Sequence, residues 1–209
     1  MDYQMIFKHS EWQTLYCVSR QFVYLGLVFG FIFGLHFFAE VFGQMTFREN
    51  GIVENLQLGL LIGSAIIFAI YAYKYQKYRQ ILSLLLSCCL LAACRELDKV
   101  FDEIVPVVHW KFAFIFPVLA GGYAYKYRLY TKQVLFDFFR LPAFYMMYTA
   151  VIIIFPIAQC IGHASFVRNV LGVFDVASIK EFYEEAAEVV GYFVIFLSAL
   201  EMHFNIRHS

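Results

Sequence analysis

The chain reads as an all-α, polytopic integral membrane protein: a single transmembrane domain over residues 1–209, built as a bundle of about six spanning helices. Its residues are 62% hydrophobic and only 15% charged, where a soluble domain carries roughly 25% charged residues. It holds 25 Phe and 15 Tyr, more aromatic surface than a soluble core of this length can hide. Apolar runs recur along the sequence, and the charges gather at their ends.

A helix needs about 20 residues to cross the hydrocarbon. The candidate spans are 21–44, 51–73, 80–98, 109–125, 141–162 and 182–204. The first is too long for a signal-peptide apolar region and reads as a retained anchor. Pro142 suits a first helical turn, and Pro117 and Pro156 fall inside spans, where membrane helices tolerate a kink. Two further stretches, 1–20 and 164–178, are mixed in character and are expected to form interfacial helices. In the second, Phe166, Val167, Val170, Leu171 and Phe174 repeat at helical spacing.

Lys and Arg set orientation. Lys74, Lys77 and Arg79 follow the second span, and Lys126, Arg128, Lys132 and Arg140 follow the fourth. Both connections are expected on the cytoplasmic side, which puts both termini there as well. The small size and the lack of any Asn-x-Ser/Thr sequon fit a bacterial inner membrane. The segment Tyr-Ala-Tyr-Lys-Tyr occurs twice, ending the second and fourth spans on that same side. Tyr and Lys are at home there, ring among the headgroups and ammonium in water.

Composition excludes several functions. A formal net charge of zero argues against a nucleic-acid partner. There is no phosphate-binding glycine loop and no dinucleotide fingerprint. The five cysteines form no CxxC pair, and three of them sit in one apolar run as small packing residues.

The acidic residues are more asymmetric than the basic ones. Most of the 16 fall toward the predicted outer face, although Asp and Glu contribute little to topology. Depth singles out some of them. The uncharged run of the third span, 81–94, covers about 21 Å of a core about 30 Å thick. The next turn, with Arg95 and Glu96, is therefore drawn into the hydrocarbon. The uncharged run of the last span, 189–200, is shorter still, so Glu188 is immersed, with Glu184 one turn before it. Glu54 and Gln57 open the second span, and His36 and Glu40 lie four apart near the outer end of the first.

An ionisable group in hydrocarbon costs at least a few kcal/mol and persists when it faces protein, finds a partner or performs a task. Arg95 is the natural counter-charge for Glu54, Glu184 or Glu188. Carboxylates in excess of the fixed cations invite a proton, a metal ion or a cationic ligand. For acid–base work the candidates are Glu188, Glu184, Glu54 and Glu96, with Glu188 first because it is flanked by Ala187 and Val189. Arg95, Gln57, His109 and Lys111 are the candidate substrate-binding groups. A divalent metal is the cofactor class that the ligand types admit, through His36, Glu40, Glu185 and His163. No HExxH and no Glu-x-x-His pattern supports it.

Glu184-Glu185 is similar to the double-Glu motif of the intramembrane CAAX-type proteases. Val189 stands where that family has Arg, and the later His-bearing helices are missing. Nor has the rhomboid Gly-x-Ser motif a counterpart. Three functions stay open on the residues alone. One is an enzyme working on a lipid or lipid-linked head group by acid–base or metal-assisted chemistry. Another is a proton- or cation-linked transporter or sensor. The third is a membrane subunit of a larger complex. Membrane lipids are the expected partners, with a second copy of the chain or another membrane protein as further candidates. The first function is preferred because the polar groups stop at one face, whereas a transporter site usually lies near the midplane.

Overall fold

The computed structural model describes residues 3–43, 51–98, 110–161, 163 and 176–207, with side chains of the first and last stretches described over 14–43 and 182–206. Every described element is helical. The helices are α1 (Tyr3–Phe42), α2 (Ile52–Lys74), α3 (Arg79–Glu96), α4 (Ile115–Lys126), α5 (Arg128–Phe139), α6 (Pro142–Ile161) and α7 (Val176–Arg207). Five stretches are long and apolar enough to cross a membrane: Thr14–Phe42, Ile52–Lys74, Gln76–Glu96, Pro142–Ile161 and Phe182–Ile206.

The region expected as a fourth span, 109–125, is not among these five. It is divided into a 3-10 turn, Trp110–Phe114, and the 12-residue α4. Twelve residues rise only about 18 Å, short of a core about 30 Å thick. Five helices thus qualify by themselves among the described residues, and the expected sixth is not among them. The interfacial helix expected at 1–20 is continuous with α1. Of the one expected at 164–178, residues 164–175 lie outside the described residues and 176–178 begin α7.

Local chemistry sets the helix ends. Gly43, with φ of 59°, follows the last residue of α1; glycine takes that left-handed conformation without a Cβ penalty. The α2–α3 connection is a single tight turn, Gln76–Tyr78, in which the Tyr75 N–H donates to the Tyr71 carbonyl at 2.8 Å. Arg79 Nε donates to the Ala72 carbonyl at 3.2 Å and satisfies an acceptor at the end of α2. The two Tyr-Ala-Tyr-Lys-Tyr copies close α2 and α4 in the same way. Tyr71 and Tyr75 meet edge-on at 5.8 Å, and Tyr123 and Tyr127 at 5.2 Å. Lys74 lies over Tyr75 and Lys126 over Tyr127.

The basic connection 126–140 is not a plain loop. Val134 and Phe138 sit four apart and are buried, so α5 forms and packs its apolar stripe onto the bundle. Asp137 on its other side pairs with Lys77 at 3.0 Å, tying α5 to the α2–α3 turn. Thr131 Oγ1 donates to the Ala124 and Tyr127 carbonyls, capping the end of α4.

α7 is the central helix, in contact with α1, α2 and α6, while α3 packs between α2 and α4. Small residues let α6 and α7 approach closely, as at membrane helix interfaces generally. Ala143, Ala150 and Ala158 of α6 are fully buried. Ser198 Oγ of α7 donates to the Ala143 carbonyl at 2.7 Å. Pro156 lies within a π-helical turn, Ile153–Ile157, of α6. The wider turn absorbs the missing proline N–H. At the same height a Cβ on Gly191 would collide with Ile154 Cγ1 and lie 3.4 Å from the Ala150 carbonyl oxygen.

Gly191→Ala is therefore expected to destabilise the bundle by about 1–3 kcal/mol through overpacking. Thermal unfolding in detergent measures it. Combining Gly191→Ala with Ile154→Ala, which removes Cγ1, should cost less than the sum of the two single changes. Additive costs would show that this contact does not set the α6–α7 spacing.

Candidate functional site

α7 carries two buried carboxylates near its two ends, Glu188 at 3% exposure and Glu201 at 0%. A guanidinium from a different helix meets each one. About 20 Å of helix separates them.

At the first end, the last turn of α3 supplies Arg95 and Glu96. The short apolar run before them draws this turn into the bundle, as its length dictates. Arg95 Nη2 donates to Glu188 Oε2 at 2.7 Å and to Glu96 Oε1 at 3.1 Å. Arg95 Nε reaches the same Glu96 oxygen at 3.3 Å. Tyr192, one turn beyond Glu188 on α7, donates its hydroxyl to Glu96 Oε1 at 2.9 Å. Two carboxylates from two helices thus share one guanidinium, and a buried phenol completes the group.

A second pair adjoins it. Gln57, fully buried near the start of α2, donates Nε2 to Glu185 Oε2 at 2.8 Å. The same nitrogen lies 3.4 Å from the Glu185 carbonyl. Gln57 Oε1 is buried and has no hydrogen-bond partner among the described residues. Glu184 accepts from Gln159 of α6 at 3.3 Å. Glu54 sits half-buried one turn before Gln57.

The structure thus brings Arg95, Glu96, Glu188, Gln57 and Glu185 to one end of the bundle, with Glu184 and Glu54 on the same turns. It does not bring the other candidates to them. His36 and Glu40 pair with each other at 3.3 Å, both largely exposed on α1. Lys111 and His163 are exposed, and His109 lies outside the described residues. Among the described residues no three His, Cys, Asp or Glu side chains gather as metal ligands. Glu96 and Glu188 turn their oxygens to the Arg95 guanidinium, which takes the place a cation would have between them. All five cysteines are free thiols.

Below this end lies a cavity of about 570 Å³ between α2, α3, α6, α7 and the 3-10 turn Trp110–Phe114. Leu61, Phe68, Leu85, Met147 and Val151 are among its walls, and its lining is almost wholly apolar. Arg95 is the one charged residue in that lining among the described residues, and Tyr192 stands with it. Leu61 lies one turn from Gln57, and Tyr192 one turn from Glu188. The greasy space therefore ends at the polar group.

The other end of α7 holds a cluster that sequence reasoning missed. Glu201 accepts from Arg20 Nη2 at 2.6 Å, Tyr24 OH at 2.9 Å and Asn205 Nδ2 at 2.8 Å. The Arg20 guanidinium also lies 5.0 Å from the Tyr16 ring centre and 4.7 Å from that of Phe204. The inner halves of the spans are thus not uniformly apolar. Glu201 was legible only as an acid flanked by Leu200 and Met202. Its nearness to His203 and Arg207 gives it the look of a helix end at the water's edge. Tyr192 had a clearer signal, four residues after Glu188 on the same face.

Removing one partner of a buried ion pair strands the other, at about 3–5 kcal/mol. Arg20→Met is expected to lower the unfolding temperature sharply. Arg20→Met combined with Glu201→Gln should recover most of that loss, since the amide still accepts from Tyr24 without a charge. If the double variant is as unstable as Arg20→Met alone, stranded charge is not the cause. No family model, characterised protein or solved structure matches this chain.

Proposed function

We propose that the protein takes a lipid from the bilayer, seats its tail in the apolar cavity and presents its head group to the Arg95–Glu96–Glu188–Tyr192 group for proton-transfer chemistry. One observation carries this reading: an apolar cavity inside a membrane bundle ends on a half-exposed guanidinium shared by two buried carboxylates. Its volume falls within the roughly 300–1,000 Å³ of ligand pockets. Glu188 and Glu96 are the acid–base pair in this reading. Arg95 Nη1, which takes no part in the bonds to either carboxylate, is the donor for an anionic part of the substrate. Glu184, Glu185, Glu54 and Gln57 border the head group.

The polar groups favour an enzyme over a transporter. Leu61, Phe68 and Leu82 are buried between the two ends of the bundle. Ser64 and Ser198 donate their hydroxyls to the Leu60 and Ala143 backbone carbonyls. A transport site near the midplane would place polar side chains there. In the same reading the 3-10 turn Trp110–Phe114 adds about 10 Å to α4, enough for the two together to make a sixth crossing. Lys74, Lys77, Arg79, Lys126, Arg128, Lys132 and Arg140 then lie on the cytoplasmic side with both termini. The Arg95 end faces out of a bacterial inner membrane.

Two variants separate tail binding from chemistry. Val151 lines the cavity and is exposed to it rather than locked in the core. Val151→Trp should fill the space and cut the lipid that co-purifies with the protein several-fold, measured by extraction and mass spectrometry. Glu188→Gln should retain lipid but lose turnover of a lipid extract. Equal lipid in Val151→Trp and the parent protein would defeat the tail assignment. Undiminished turnover in Glu188→Gln would remove Glu188 from the chemistry.

A further inference from the structure

The chemistry of the cluster narrows the head group beyond the reading above, on which the seating of the tail depends. Around Arg95 the described side chains are mostly acceptors. Glu96 and Glu188 share the one guanidinium. Glu185 lies one turn from Glu188, and its side-chain partner is the uncharged Gln57. Among the described residues, acidic side chains therefore outnumber basic ones in a place where unbalanced charge is expensive. Gln57 adds an independent observation. It is fully buried, its Nε2 is committed to Glu185, and its Oε1 has no donor among the described residues. A buried acceptor without a donor costs about 1–3 kcal/mol.

We propose that the head group held here carries a primary ammonium, whose N–H donors reach Gln57 Oε1 and the Glu185 carboxylate. A primary ammonium supplies three donors and one positive charge, so it answers both deficits at once. Water would answer the acceptor and leave the charge. A quaternary ammonium would answer the charge and leave the acceptor. An anionic head group without an amine would worsen the imbalance, although its phosphate could still reach Arg95 Nη1. The ligand class is thus an amine-bearing amphiphile; a phosphoethanolamine lipid, net neutral, would set its ammonium against Glu185 and Gln57 and its phosphate against Arg95 Nη1, matching local rather than net charge. A small free amine shares the chemistry but not the tail.

The test uses the full chain in detergent, with phosphatidylethanolamine, phosphatidylcholine and phosphatidylglycerol of identical acyl chains, and with free ethanolamine. Native mass spectrometry and thermal unfolding are read together. Phosphatidylethanolamine should be retained roughly tenfold over the other two, the worth of one hydrogen bond to a charged donor. Gln57→Leu should abolish that preference. If Gln57→Leu does not fold, Glu185→Gln should weaken the preference instead. Equal retention of phosphatidylcholine would show that N–H donors are not read and would overturn the inference. Preference for phosphatidylglycerol would overturn it too, while leaving lipid binding intact. Protection by ethanolamine with no lipid retained would uphold the amine site and defeat the tail in the cavity. No effect of any probe would overturn both.

Discussion

The bundle depends on how α7 keeps its carboxylates out of contact with hydrocarbon. Each buried acid is met by a guanidinium from a distant part of the sequence: Glu188 by Arg95 of α3, Glu201 by Arg20 of α1. Ion pairs of this kind are weak evidence for net stability, because desolvation offsets much of the attraction. Their value lies in exclusion. Any register of α7 that separates an acid from its arginine leaves two charges stranded in a low-dielectric layer. The pairs therefore fix the vertical position of α7 against both neighbours, and the rest of the packing follows from that position. Gly191 meets Ile154, Phe193 stacks on Phe31 at 4.2 Å, and Val189 meets Val53.

The same constraint explains where the cavity stops. Apolar side chains line it because nothing in the middle of the bundle needs a polar partner. It ends where the third span runs out of uncharged residues and Arg95 enters. The polar cluster and the cavity are thus set by one quantity, the length of an apolar run relative to the thickness of the bilayer. Arg95 has a dual position, bonded to two carboxylates on one side and part of the cavity lining on the other.

That quantity can be read from sequence, and so Arg95, Glu96 and Glu188 could be placed at one depth before any coordinates. Run length says nothing about azimuth. It could not show that Gln57 meets Glu185, or that His36 and Glu40 face away from the bundle and meet only each other. Glu201 was misjudged for a related reason. Polar neighbours follow it, and a depth argument cannot tell an acid at the water's edge from one turned inward against Tyr24. The cavity was invisible because it is a property of four helices and a turn rather than of one helix. α5 was hidden by its charges, since four basic residues in and around it outweighed the two apolar ones, Val134 and Phe138, that dock it. The fourth apolar stretch looked like a span by hydropathy, but its helix is divided near Phe114.

The Arg20–Glu201 pair joins residues 181 positions apart. A ribosome adding roughly 5–20 residues per second needs about 10–40 s to make that interval. Throughout it α1 stands in the bilayer with an arginine whose acid has yet to be made. The guanidinium can wait because Tyr16 lies on its own helix one turn away, and the headgroup region is near enough for a long side chain to reach. This contact is therefore a late event, in which α7 returns to clasp α1.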